Sequence, residues 1–186
     1  MKFRDDSETI DKVLSGDVSA YASLVEKHKN LVFSIVLKVV NNREDAEEIA
    51  QDTFLKAYQS LKTFERKSKF STWLYRIAYN SAISKTRKKR IEMVAIEDSV
   101  ITNYSTDEVS KNMHEREEND RQLILEKVLK RLPEDDNLLI TLFYKSENSV
   151  DDISEITGLS VSNVKVRLHR IRKKLYEEMQ SLMVSN

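Results

Sequence analysis

Asp151 to Leu175 reads DDISEITGLSVSNVKVRLHRIRKKL, and the spacing of its residues decides the fold of the second half of the chain. Ser149 with Asp152 forms a capping box that opens a short helix through Ile153 and Ile156. Thr157, Gly158, Leu159 and Ser160 then make a tight turn, with the serine placed to cap the next helix. Val164, Leu168, Ile171, Leu175 and Met179 recur at helical spacing and point inward. A short helix, a glycine-bearing turn and a second helix form the helix-turn-helix pattern. With Val164 inward, Ser162, Val166, His169 and Lys173 point outward, flanked by Lys165, Arg170 and Arg172. Six cations and no anion lie between Val161 and Lys174. That face is cationic and hydrogen-bonding, as a major-groove reader requires, although many helical hairpins share the pattern.

Upstream, Ile124, Leu125, Val128, Leu129 and Leu132 mark a helix stopped near Pro133, and Leu138, Leu139, Leu142 and Phe143 mark another. Residues 91 to 119 keep no sustained apolar period. From Ile91 to Asp120 there are nine carboxylates against Lys111 and Arg116. This stretch is expected to be a flexible acidic linker between modules at residues 1–90 and 120–186.

Before the linker stands Lys69 to Arg90, KFSTWLYRIAYNSAISKTRKKR, with four aromatic rings, seven cations and no carboxylate. A 3.6-residue period places Trp73, Arg76, Asn80 and Arg87 along one side of a helix, with Leu74, Ile77, Ala78 and Ser81 on a packing side. Aromatic faces stack on unpaired bases, and Arg and Lys meet phosphates. The same residues also suit plain packing and a solvated basic helix end. The loop before it, Lys62 to Phe70, is basic and flanked by Phe64 and Phe70.

The preceding segment, REDAEEIAQDTFLKAYQSL, starts after Asn41 and Asn42, which break one helix and cap the next. Ala46, Ile49, Ala50, Phe54, Ala57 and Leu61 face the core. Asp45, Glu48, Asp52 and Leu55 line another side, beside Glu44, Glu47 and Gln51. Acids in a first turn suit the helix dipole, but Asp52 lies beyond it, so a docking face for a basic partner is a second reading. Earlier still, one short helix over Ile10, Val13 and Leu14 ends at Gly16, and a long one runs from about residue 18 to 40. His28 falls on its apolar stripe and is expected to pack rather than bind a ligand.

The composition agrees with helices: among 186 residues there are two Gly and one Pro, with 40% hydrophobic and 33% charged. No Cys is present, which excludes disulfides, thiolate chemistry and Cys-based metal sites. Three dispersed His residues give no ligand spacing, so no metal or other cofactor is expected. The formal charge is +0 but partitioned into basic, acidic and basic blocks. No apolar run approaches a membrane span, and MKFRDDSE lacks the apolar core of a secretory signal. A cytoplasmic setting without membrane insertion is expected. The chain ends at Asn186, so no appended regulatory domain is expected either.

Four stretches together carry a family resemblance: DAEEIAQDTFLKAY (Asp45 to Tyr58), KFSTWLYRIAYNSAISKTRKKR (Lys69 to Arg90), LPEDDNLLITLFY (Leu132 to Tyr144) and DDISEITGLSVSNVKVRLHRIRKKL (Asp151 to Leu175). In this order, separated by the linker, they resemble the extracytoplasmic-function class of bacterial sigma factors over nearly the whole chain. The resemblance implies an all-α fold of two small helical domains, and a non-enzymatic subunit that binds core RNA polymerase and directs it to promoters. It implies polymerase docking by Asp45, Glu48, Gln51, Asp52 and Leu55. It implies -10 contacts, to locally melted DNA, by Phe64, Arg66, Lys67, Ser68, Lys69, Phe70, Trp73, Arg76, Asn80 and Arg87, with Lys85 helping to grip the backbone. Contacts to the double-stranded -35 element fall to Ser160, Ser162, Asn163, Lys165, Val166, Arg167, His169, Arg170, Arg172 and Lys173. By the same analogy the linker threads a basic polymerase channel. An anti-sigma factor is a frequent partner in the family, and nothing in these residues requires one.

The sequence departs from the family at two places. Asn163 stands where glycine is common, and Val166 where a small polar residue is common, which bears on the -35 preference rather than on docking. Two other readings of the residues stay open: a stand-alone helix-turn-helix regulator, and a nucleic-acid enzyme holding Mg²⁺ at Asp45, Glu48 and Asp52.

Overall fold

The computed structural model describes residues 6–96, 124, 125, 127–129, 131–146 and 148–184. Among them there is no strand, and no helix is long and apolar enough to cross a membrane. Most of the expected linker lies outside the described residues.

Helix α1, Ser7–Leu14, buries Ile10 and Val13 and is followed by Gly16 at φ 109°. Helix α2, Ala20–Val40, begins where Asp17 Oδ1 accepts the Ala20 N–H at 3.3 Å. It buries Leu24, His28, Val32, Ile35 and Val36. Two adjacent asparagines then do different work. Asn41 takes the left-handed conformation that ends α2 (φ 50°), and Asn42 Oδ1 accepts the Asp45 N–H at 2.9 Å to start α3, Arg43–Ser60.

The expected inward face of α3 is the buried one: Ala46, Ile49, Ala50, Phe54 and Ala57. Thr53 joins them by returning its hydroxyl to the Ile49 carbonyl at 2.7 Å. Tyr21 ties α2 to α3 by donating to the Phe54 carbonyl at 2.7 Å, and burial pushes its hydroxyl up to about 12. After a single 3₁₀ turn, Leu61–Thr63, comes α4, Phe70–Ile96. Leu74 and Ala78 are fully buried as the period requires, with Thr72, Tyr75 and Ala82 alongside. The helix runs six residues past the expected module boundary at 90, because nothing in KKRIEMVAI breaks a helix.

In the second module, residues 124, 125 and 127–129 are helical. Helix α5, Glu134–Ile140, starts after Pro133 and continues as one π turn, Thr141–Lys145. Helix α6, Val150–Thr157, opens on the complete capping box of Ser149 and Asp152 and closes on Gly158 at φ 73°. Helix α7, Val161–Val184, comes next. It buries Val164, Leu168 and Ile171, each at most 2% exposed.

Helix α2 is central: α1, α3 and α4 pack on it, and so does α5. Helix α6 packs on both α4 and α7. Among the described residues, buried hydrophobic side chains from both modules join in one contiguous cluster. Fully buried members such as Ile35, Leu74, Leu139 and Ile153 each stabilise the fold by roughly 1.5 to 3 kcal/mol relative to exposure.

Candidate nucleic-acid interface

The Phe64 to Phe70 loop and the first half of α4 build one aromatic and basic surface. Phe64, Phe70 and Trp73 form a three-ring cluster, with centroids 5.2 Å apart for Phe64 and Trp73 and 5.8 Å for the other two pairs. Phe70 is buried, whereas Phe64 and Trp73 are half-buried and keep part of their rings at the surface. Arg76, Asn80 and Arg87 are exposed farther along the helix. Arg66 adopts a left-handed backbone (φ 57°) and pairs with Asp11 of α1, and Lys67 pairs with Glu65.

Four side chains of this surface meet carboxylates of α6. Thr72 Oγ1 donates to Asp152 Oδ1 at 2.8 Å, and Lys69 Nζ to Asp152 Oδ2 at 3.1 Å. Ser68 Oγ donates to Glu155 Oε1 at 3.0 Å, and Arg76 lies 3.9 Å from the same oxygen. Burial would raise the Asp152 carboxyl, but hydrogen bonds from Ser149, Thr72 and Lys69 hold it below its ordinary value.

Farther along α4, Lys85 turns the other way. Its ammonium donates to Glu48 Oε2 at 3.1 Å and lies 3.5 Å from Asp45 Oδ1, and Lys89 is 3.5 Å from Asp45 Oδ2. The Glu48 hydrogen bond holds the Lys85 ammonium above its usual range. The acidic side of α3 is thus braced by α4. Gln51, Asp52 and Leu55 remain exposed, Leu55 at 60%. Asp45, which also sits in the first turn, is half-buried.

On α7, Ser162, Asn163, Lys165, Val166, His169, Arg170, Arg172 and Lys173 are all exposed, in agreement with the helical wheel. Ser160 caps the helix by accepting the Asn163 N–H at 3.2 Å. Arg172 lays its guanidinium over the Phe143 ring, 4.8 Å from the centroid, and 5.5 Å from that of Tyr144. Arg167 differs from its neighbours. It is half-buried and turned to α5, donating from both Nε (3.2 Å) and Nη2 (2.6 Å) to Asp136 Oδ1.

Two family patterns match separate stretches of the chain. The family pattern described as Sigma-70 region 2 matches residues 24–91, and that described as Sigma-70, region 4 matches residues 122–175. The ECF RNA polymerase sigma factor SigW of Bacillus subtilis (strain 168) is 34% identical over 180 residues, covering 93% of this chain and 96% of the relative. The chain belongs to the extracytoplasmic-function (ECF) RNA polymerase sigma factors. The ECF RNA polymerase sigma-E factor of Haemophilus influenzae is 32% identical over 184 residues, covering 96% of this chain and 97% of its own. The fold is shared with the sigma factor RpoE solved with the anti-sigma factor NepR from Bartonella quintana: TM-score 0.66, 22% identity, 86% of this chain and 96% of that one. It is shared too with CnrH solved with the cytosolic domain of CnrY, at TM-score 0.62 and 22% identity over 95% and 97% of the two chains.

Region 2 of this sigma factor thus spans α2 to α4, and region 4 carries the helix-turn-helix of α6 and α7. Sequence reasoning misses two participants at the region 2 surface. In the sequence Thr72 is legible only as a helix start, and Asp152 only as a capping acid. A second signal is present, because α6 carries Asp151, Asp152 and Glu155 within five residues opposite an uncompensated basic segment.

Proposed function

We propose that this sigma factor docks on core RNA polymerase through the α3 side of Asp45, Glu48, Gln51, Asp52 and Leu55. Melted -10 DNA is then held on the surface formed by Phe64, Arg66, Lys67, Ser68, Lys69, Phe70, Trp73, Arg76, Asn80 and Arg87. The -35 duplex is read by the exposed face of α7: Ser162, Asn163, Lys165, Val166, His169, Arg170, Arg172 and Lys173, with Ser160 as its cap. Lys85 and Lys89 brace the docking face rather than grip DNA, and Arg167 braces α7 against α5. The factor is non-catalytic, works in the cytoplasm alongside polymerase, and is open to control by an anti-sigma factor.

The observation that carries this reading is the alignment of half-buried Phe64 and Trp73 with exposed Arg76, Asn80 and Arg87 on one side of the loop and α4. Extruding a base costs a few kcal/mol, and stacking on an aromatic ring returns ~1 to 3 kcal/mol per base. Capture of one or two bases there balances the cost of opening. The ion pairs of Lys85 with Asp45 and Glu48 support a docking role for those acids over a magnesium site. A stand-alone regulator would leave the exposed α3 side and the ring cluster unused.

The test is Asn80→Ala in run-off transcription with core polymerase on duplex and pre-melted templates. Output should fall about tenfold on duplex DNA and recover on the pre-melted template. Equal, undiminished output on both would remove Asn80 from strand capture.

A further inference from the structure

Val166 is 48% exposed on the second turn of α7 and lies outside the buried cluster. At a 3.6-residue period it stands about 200° round the helix from the fully buried Val164. It is therefore almost diametrically opposite the core. Ser162, Asn163, His169 and Arg170, a turn away on either side, are exposed with it, and each ends in a polar or cationic group. Val166 is the one apolar side chain among them.

Helix formation and packing do not account for a valine there. A β-branched residue is a poorer helix former than alanine, and a side chain directed away from the core adds nothing to it. The position is instead where a major-groove helix presents its base contacts, in the turns next to its N-terminus. Valine has neither donor nor acceptor, so hydrogen-bond readout is closed to it. The apolar group that a base pair offers in the major groove is the 5-methyl of thymine. Arg167 is turned to Asp136 of α5, and Arg172 lies over Phe143 and Tyr144. Lys165 and Arg170, by contrast, are exposed on opposite sides of Val166. Held to the backbone by these two cations, the helix presses the valine against a base edge.

We propose that Val166 determines specificity in the duplex by packing on the 5-methyl group of a single thymine, and that it reads the methyl rather than the base pair. This rests on the assignment of the -35 duplex to α7 given above. A cytosine methylated at C5 puts the same group at the same place in the groove, so the contact also favours that base over unmodified cytosine.

The test uses holoenzyme reconstituted from the full chain and core RNA polymerase. Holoenzyme first selects duplexes from a random pool, and each thymine of a selected duplex is then replaced singly by deoxyuridine, which removes the methyl and leaves the pairing intact. At one thymine the replacement should weaken wild-type binding about three- to fourfold, the worth of one buried methyl group. At that position 5-methylcytosine should bind more tightly than cytosine by a similar factor. Val166→Ser, which removes both γ-methyl groups, should bind the thymine and uracil duplexes equally. Val166→Thr, which keeps one of them, should keep the preference. Neither variant should lower the urea midpoint, because the side chain is outside the core.

If wild-type holoenzyme is indifferent to uracil at every thymine, while Lys165→Ala and Arg170→Ala still weaken binding, the methyl contact is overturned and the α7 reading stands. If every uracil effect persists in Val166→Ser, the contact belongs to another residue and the proposal falls. A lowered urea midpoint for Val166→Ser together with an unchanged thymine preference would make the valine a packing residue. Duplex binding untouched by Lys165→Ala and Arg170→Ala would overturn the α7 reading, and the methyl contact with it.

Discussion

His28 Nδ1 lies 3.1 Å from the hydroxyl of Tyr75, with the two residues 5% and 4% exposed. Nε2 of the same ring is 3.0 Å from Asp6 Oδ2. An ionised carboxylate only accepts, so Nε2 carries a proton toward Asp6, while Nδ1 and the Tyr75 hydroxyl share the second hydrogen bond. Burial holds the Tyr75 hydroxyl well above its usual range, which keeps it protonated. The chain of hydrogen bonds joins the segment before α1 to α2 and α4, directly beside Phe70 of the ring cluster. Tyr75→Phe leaves a buried nitrogen without its hydrogen-bond partner and should cost about 1 to 2 kcal/mol. His28→Ala also removes ring packing and should cost roughly 2 to 4 kcal/mol. Urea unfolding should show lower midpoints with an unchanged slope.

Asp6 makes this network sensitive to acid. Burial alone would raise its carboxyl, but hydrogen bonds from His28 and Lys27 outweigh that and hold it below its ordinary value. A depressed folded pKa contributes stability above the unfolded pKa and loses it as pH falls through the folded one. The stability advantage of the native chain over Asp6→Asn should therefore be full above about pH 5 and shrink progressively below about pH 4. Thermal midpoints of the two proteins measured from about pH 7 down to about pH 3, a range that brackets an unfolded carboxylate, check this; parallel curves would show that Asp6 is not the group responsible.

Gly158 sits at φ 73° at the end of α6, and a β-carbon there would meet nothing within 4 Å. The cost of Gly158→Ala is then purely that of the left-handed backbone, about 1 kcal/mol. For a chain of this size that should lower the melting temperature by about 2 to 4 °C. Asn41→Gly, at φ 50°, should cost nothing measurable, because glycine suits the same conformation.

These local devices are legible in the sequence because each acts within a few residues. The Ser149 and Asp152 box, the Asn42 cap, the Gly158 turn and the apolar periods of α3 and α7 all obey short-range rules. The extension of α4 to Ile96 is obscured by the fading of its apolar period after Ala82. Less still can be read of pairings across the fold. Arg167 meets Asp136 over 31 residues, Lys85 meets Glu48 over 37, and Thr72 meets Asp152 over 80. A helical wheel gives the direction in which a side chain leaves its helix, but not which helix stands there. Arg167 flanks the core stripe closely enough that its long side chain can serve either the groove or the neighbouring α5.

That ambiguity makes Arg167 the sharpest test of the α7 interface. A cation that neutralises a phosphate contributes about 0.9 to the slope of log affinity against log salt. Lys165→Ala and Arg170→Ala, at exposed positions, should each weaken duplex binding and lower that slope by about 1. Arg167→Ala should leave the slope unchanged and instead destabilise region 4, because Asp136 loses its partner. The pair is about one-quarter exposed on each side, so the loss should be about 1 kcal/mol. Titrations at 50, 100 and 200 mM salt (roughly the range over which such slopes are resolved), with a urea midpoint for each variant, separate the two roles. A lowered slope for Arg167→Ala would return this residue to the DNA face and require its Asp136 contact to open on binding.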